Sequence, residues 1–402
     1  MSLTGAGTTW VLWLVATATF VSSILWPRTR PTTRRRSALL AHLRRAGMQL
    51  AVVVTALAAV SGTLNAQYAW YSSWSDLASS LVSDGAPAGG TSIVAGGPGA
   101  GAPSVGPSTP TTGASATTDP GADPSATTEP TIAGLTADPG PDGQYLTVTV
   151  PGPTSGVTGS VDLWVPRSYT DPAFAHHRYP VVEAFHGVPG GPFEYAHDIG
   201  LGRMVAGLAR DRRLAEPILV MPDSTPHHLD TECVNGGAKG PQMEDWLTRD
   251  VPDWVRGHLR VAADAQSWAT MGLSTGGFCA TMATFLHPDT YGAAIELGGY
   301  LAPVFDPAYQ PFARGSAAWD RYDLVKRAAA DPPDVQLWVE TSKADTLSYP
   351  GNARLIAAAT PPLRVTADVL PGAGHRMTVW VAAMPTAFTW LGRSLTGFHP
   401  AA

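Results

Sequence analysis

Ser267-Trp-Ala-Thr-Met-Gly-Leu-Ser274-Thr-Gly-Gly-Phe-Cys279 is the stretch on which the fold turns. An apolar run, Ser267–Met271, reads as a buried strand, and the residues from Gly276 to His287 read as a helix. Between them Gly272-Leu-Ser274-Thr-Gly276 spells G-x-S-x-G. In a strand–turn–helix setting that pattern has a physical meaning. Glycines on either side let the backbone turn sharply, so the Ser274 side chain projects from the top of the sheet. The helix that follows points its positive end at the same spot, where it favours a developing negative charge. Ser274 is therefore the candidate nucleophile.

Working outward, short apolar strands alternate with helical stretches. The strands are expected at Tyr179–Phe185, Pro217–Met221, Ser267–Met271, Gly292–Leu297, Val335–Glu340 and Leu363–Leu370. Helices are expected over 198–213, 243–260, 276–287, 318–330 and 351–359, with a closing one at about 379–396. Continuous apolar strands alternating with helices imply a mostly parallel sheet covered on both faces. Ahead of them, Tyr145–Val150 and Val161–Val165 alternate with period two around a Pro/Gly turn, an antiparallel hairpin at a sheet edge. Ligands of such sheets bind beyond the carboxyl ends of the strands, so polar residues just after each strand matter most.

A serine hydroxyl is a weak nucleophile and needs a base held by an acid. With this motif the chain order is Ser, then Asp or Glu, then His. Asp345 follows the strand Val335–Glu340, and His375 follows Leu363–Leu370 in Pro371-Gly-Ala-Gly-His375. Glu340 still belongs to its strand and Asp368 lies inside the next, so Asp345 is the preferred acid. Two backbone N–H groups should hold the oxyanion, those of Thr275 and Val188. Val188 sits in His186-Gly-Val-Pro-Gly-Gly191, where Pro189 has no donor to give. The loop H-G-x-P-G-G resembles the glycine-rich oxyanion loop of esterases.

Taken with Glu244-Asp-Trp-Leu-Thr-Arg-Asp-Val-Pro-Asp-Trp254, Met271–Gly277 and His287-Pro-Asp289, the domain resembles the esterase D-like family of α/β hydrolases. That family includes S-formylglutathione hydrolases, feruloyl esterases and mycolyltransferases. The resemblance runs from the edge hairpin to the closing helix and implies an α/β-hydrolase fold, with Ser274, Asp345 and His375 at the triad positions. Two departures point away from mycolyl transfer. The acid directly follows its strand, as in the feruloyl-esterase type, and His186 replaces the aspartate that mycolyltransferases carry before the oxyanion glycine.

Cys233 and Cys279 are the chain's two cysteines. Both regions face the same rim, so a disulfide is expected in an oxidising compartment; the alternative is two unpaired residues, with Cys279 buried on its helix. Two cysteines in 402 residues exclude a small disulfide scaffold. His176-His177, His197-Asp198 and His227-His228 lack metal-ligand spacing, so no metal is expected. No phosphate-binding loop is visible, and neither a nucleotide nor a flavin cofactor is expected.

The amino-terminal third is different in kind. Thr9–Trp26 and Met48–Ala66 are uncharged apolar stretches, the first about eighteen residues long, the minimum for a membrane-spanning helix. Residues 1–66 carry seven arginines and no acid, and all seven arginines lie between the two stretches. That places the loop 27–47 in the cytoplasm and both far ends outside. Tyr68, Trp70, Tyr71 and Trp74 suit the outer interface. A cleavable signal ending near Ala66 and a buried helical hairpin are the alternatives.

Residues 67–142, rich in Gly, Pro, Ala, Ser and Thr, read as a disordered tether. Residues 143–402 then form one large domain. Beyond residue 66 there remain 19 basic and 32 acidic residues; the excess of basic charge is confined to one short amino-terminal stretch, so no nucleic-acid partner is expected. The whole reads as a multi-pass membrane protein of the bacterial cell envelope with an extracytoplasmic serine esterase domain. Its partners would be the membrane and an ester substrate, an envelope lipid or sugar ester among the candidates. Alternatives are an acyltransferase acting on a sugar or lipid of the envelope, and an inactive envelope-binding module.

Overall fold

In the computed structural model the described residues are 3, 5–25, 35–68, 70–82, 91–95 and 132–400. Three helices come first: α1 (Ala6–Leu25), α2 (Arg35–Tyr68) and α3 (Trp74–Val82). Within α1 and α2, Ala6–Leu25 and His42–Gln67 are long and apolar enough to cross a membrane. Only 11 % and 6 % of their apolar windows is buried, which sets them apart from core helices.

Among the described residues nine strands make one sheet: β1 (Thr91–Ala95), β2 (Gly143–Pro151), β3 (Thr158–Pro166), β4 (Val181–Phe185), β5 (Ile218–Pro222), β6 (Trp268–Leu273), β7 (Ala293–Leu297), β8 (Gln336–Ser342) and β9 (Arg364–Leu370). Their order is β1-β9-β8-β7-β6-β4-β5-β3-β2. From β5 to β9 across the centre every pairing is parallel, while β1, β2 and β3 are antiparallel to their neighbours. Each parallel strand returns through a helix, which covers both faces. This is an α/β-hydrolase fold.

Alternation along each strand divides the core between the two faces. Val181 and Phe185 of β4 and Trp268 of β6 face α7 (Val251–His258), α8 (Thr275–Leu286), α10 (Leu324–Ala330) and α11 (Tyr349–Ala358). Val182, Ala184 and Met271 join the opposite cluster, with α5 (Leu201–Arg210) and α12 (Met377–Ser394). Three short helices complete the set: α4 (Phe193–His197), α6 (Met243–Asp245) and α9 (Ala317–Arg321). The expected strands and the edge hairpin are all present, with ends moved by a few residues.

Local chemistry explains where the elements depart from expectation. The helix expected over 318–330 is two, because Asp323 accepts a hydrogen bond from Lys326 N–H and starts α10 afresh. The helix expected over 243–260 passes through a π turn at Trp246–Asp250 between α6 and α7, where Pro252 withholds its N–H. Inside the stretch read as a tether, α3 and β1 form secondary structure. β1 gains its order by pairing with the open edge of β9, from Thr91 opposite Val369 to Ala95 opposite Val365. Residues 83–90 and 96–131 of that stretch lie outside the described residues.

Candidate active site

Ser274 stands at the turn between β6 and α8 with φ 54° and ψ −119°, a conformation that an L-residue adopts only under constraint. The constraints are close backbone contacts. A Cβ on Gly272 would collide with the Gly276 carbonyl, and one on Gly276 would collide with the Phe185 carbonyl at the end of β4. Ser274 N–H donates to the Leu297 carbonyl at 2.9 Å, and its own carbonyl accepts from Gly277 N–H at 2.9 Å. The glycines of the motif are thus needed for close approach, and the serine side chain is left at the rim.

His375 and Asp345 meet it there. Ser274 Oγ lies 2.8 Å from His375 Nε2, and His375 Nδ1 lies 2.7 Å from Asp345 Oδ2. All three residues are buried. Burial by itself raises the Asp345 pKa. The hydrogen bond and charge of His375, with the Ser348 bonds, outweigh it and hold the carboxyl below its usual range. Asp345 also closes a turn, accepting at Oδ1 from Leu347 N–H at 3.0 Å and Ser348 N–H at 3.2 Å. Ser348 Oγ donates to Oδ2 at 2.7 Å. Trp380 meets the imidazole edge-on with ring centroids 4.8 Å apart.

The loop after β4 lies against the serine, since a Cβ on Gly187 would stand 3.6 Å from Ser274 Cβ. His186 is wholly buried and fixes this loop. Its Nε2 accepts from Ser224 N–H at 3.1 Å, so the ring proton sits on Nδ1 and donates to the Gly187 carbonyl at 2.9 Å. Among the described residues, neither Val188 N–H nor Thr275 N–H meets a protein acceptor.

Behind Thr275 lies an arrangement the sequence did not announce. Tyr300 Oη stands 2.6 Å from Glu232 Oε1 and 3.0 Å from Thr275 Oγ1. Burial, reinforced by the charge of Asp230, pushes the Glu232 carboxyl up to about 8. Cys233 is bonded to Cys279 with Cα atoms 5.6 Å apart, which ties the Glu232 loop to α8. The two buried cysteines thus sit together as expected.

The motif residues Glu244 and His287 also meet, at 2.9 Å, and Tyr322 Oη donates to Glu244 at 2.7 Å. Arg321 of α9 pairs with the same carboxylate. Although burial opposes it, these bonds hold Glu244 down to about 2. They anchor the chain just beyond the stretch Pro303–Trp319. That stretch walls a cavity of about 750 Å³ of mixed character, lined by Val304, Phe305 and Trp319 but also by Arg314, Lys326 and Arg354. Tyr300 and Thr346 are among its lining residues, while Ser274, Asp345 and His375 are not. Among the described residues no His, Cys, Asp and Glu cluster could hold a metal ion.

With this geometry in hand, comparison with known proteins gives the family. The family model described as "Putative esterase" matches residues 158–391. The chain belongs to this esterase family. An uncharacterised protein of Corynebacterium glutamicum is 25 % identical over 291 residues, 67 % of this chain. The match covers 65 % of that relative, so the chain spans just under two thirds of its length.

The diacylglycerol acyltransferase/mycolyltransferase Ag85B of Mycolicibacterium smegmatis is 34 % identical over 71 residues, 18 % of this chain and 21 % of that protein. Among solved structures, a ferulic acid esterase is similar with a TM-score of 0.52 at 19 % identity, covering 63 % of this chain and 98 % of its own. An S-formylglutathione hydrolase from Agrobacterium tumefaciens has a TM-score of 0.52 at 18 % identity, covering 63 % and 96 %. These likenesses bear on the fold alone.

Sequence reasoning missed Ser348, Tyr300 and Glu232. Ser348 carried a signal, since Asp345-Thr-Leu-Ser348 is a side-chain-capped turn. Tyr300 and Glu232 carried none, because nothing local relates two residues 68 positions apart.

Proposed function

We propose that the chain is a serine carboxylic-ester hydrolase acting outside the cytoplasmic membrane. The observation that carries this reading is the unbroken hydrogen-bond chain from Ser274 through His375 to Asp345. In that reading His375 Nε2 takes the Ser274 proton as Oγ attacks the ester carbonyl. Asp345 keeps the other ring proton on Nδ1 and stabilises the imidazolium that forms. The Val188 and Thr275 N–H groups receive the negative charge that develops on the carbonyl oxygen. His375 returns its proton to the leaving alcohol, and an acyl group remains on Ser274 Oγ. Water, deprotonated by the same imidazole, then releases the acid.

The extracytoplasmic placement rests on α1 and α2 as two membrane spans with the arginine-rich loop inside. A second reading is acyl transfer, in which an alcohol of an envelope sugar or lipid replaces water in the last step. The likeness to the Ag85B acyltransferase favours it. Turnover of short- and long-chain p-nitrophenyl esters by the full chain in detergent, with and without trehalose or glycerol, tests both. Ser274→Ala should lower kcat at least about 10³-fold. Turnover unaffected by that substitution overturns the nucleophile, and product formed only with an acceptor favours transfer.

A further inference from the structure

The loop that carries His375 is held from an unexpected direction. Pro371-Gly-Ala-Gly-His375 has two glycines in the two positions flanking Ala373, a composition costly to order and prone to move. On one side His375 touches Asp345 and Trp380. On the other side its immediate neighbour, Arg376, is the residue from which α12 begins. Arg376 grips the segment that leaves α2. Its Nη1 and Nη2 donate to Asp76 Oδ2 and Oδ1 of α3 at 2.8 and 2.7 Å, a two-pronged pair. The Arg376 and Asp76 side chains are only 14 % and 7 % exposed, so water screens the pair little.

Further contacts surround it. Arg376 Nη1 donates to the Trp70 carbonyl at 3.1 Å, and its guanidinium lies over the Tyr71 ring, 5.0 Å from the centroid. Ser72 Oγ is 3.1 Å from the Gly372 carbonyl, inside the histidine loop itself. The segment is in turn fixed to α2, where Asn65 accepts from Tyr71 N–H at 2.7 Å and donates to its carbonyl at 3.0 Å. Beyond α3 the chain pairs as β1 with β9, the strand that leads into the same loop. The loop is therefore bracketed by the segment that follows the second apolar helix.

We propose that Asp76 is a positioning residue: through Arg376 it holds the His375 loop in register with Ser274, which makes the exit segment of the second apolar helix part of the catalytic unit. The proposal rests on the reading of His375 as the base. A shift of about 1 Å in a catalytic group is enough to cost roughly 10²-fold in rate, and one peptide bond separates Arg376 from that group. Asp76 touches neither Ser274 nor the proposed oxyanion donors, so its effect falls on the chemical step more than on substrate binding.

The test uses the full chain in detergent, with p-nitrophenyl butyrate as substrate, and compares Asp76→Asn, Arg376→Ala and the exchanged pair Asp76→Arg/Arg376→Asp. Asp76→Asn and Arg376→Ala should each lower kcat about 10- to 100-fold with KM within about twofold, and the exchanged pair should recover at least a third of kcat. A kcat unchanged in Asp76→Asn, in a preparation where Ser274→Ala is inactive, overturns the proposal and leaves the site reading standing. Activity persisting in Ser274→Ala overturns the site reading instead. Should the single variants fail to fold, the exchanged pair decides: a folded exchange below a third of wild-type kcat overturns the proposal.

Discussion

Ser274 holds a strained backbone because its neighbours leave it no other, and that strain has a checkable cost. Gly276 lies so close to the Phe185 carbonyl that even one methyl group forces the sheet and α8 apart. Gly276→Ala should therefore destabilise the protein by about 1–3 kcal/mol. It should also remove most activity, because β4 carries the Val188 loop on its end. Thermal unfolding and ester turnover of the variant measure both, and a midpoint and kcat equal to wild type would show that the contact is slack. At this scale the sequence was informative where a residue type is tied to a local pattern. Ser274 came from its glycines, His375 from chain order, and Asp345 from standing just past its strand. Tyr300, Glu232 and the Asp76–Arg376 pair were not legible, since each is a meeting of distant segments with no shared period or spacing.

Among the elements, the central strands carry a feature that a run of apolar residues conceals. Glu183 of β4, Glu296 of β7 and Glu340 of β8 are fully or almost fully buried. Burial pushes Glu183 up to about 8, and burial with the charges of Asp345 and Asp368 does the same for Glu340. Glu296 moves in the same direction for the same first reason.

The folded chain thus keeps protons that the unfolded chain releases near 4.5, so stability falls as pH rises from about 4.5 to about 8. Glu244, held down to about 2, and Asp345 act in the opposite sense, and their contribution is lost as pH falls below about 4.5. Thermal midpoints should peak in mildly acidic solution near pH 5 and decline toward pH 8. Glu340→Gln should flatten that decline, by up to about 1.4 kcal/mol per pH unit at its steepest. A midpoint that rises from pH 5 to pH 8 in the wild type would contradict the buried-proton account. Element positions were readable from periodicity to within a few residues. β1 was not, because five residues in a Gly- and Pro-rich surrounding become a strand only when a sheet edge is offered to them.

Seen whole, the molecule is a chain of unlike charge. Residues 1–66 contribute seven positive charges, residues 67–142 contribute seven negative ones, and residues 143–402 carry a net −6. On the proposed topology the loop that carries the seven arginines stays in the cytoplasm, and the acidic parts stand outside it. The docking of Trp70–Val82 against the His375 loop then places the reacting rim within a short span of the membrane exit. The central claim is that Ser274 carries the acyl group through the reaction. Its most direct measurement is the intact mass of the full chain after brief reaction with a slowly deacylating p-nitrophenyl ester, followed by peptide mapping. One acyl adduct per chain on the peptide bearing Ser274, absent in Ser274→Ala, is the predicted result. Steady turnover with no adduct there, or with the adduct on another residue, would contradict the account.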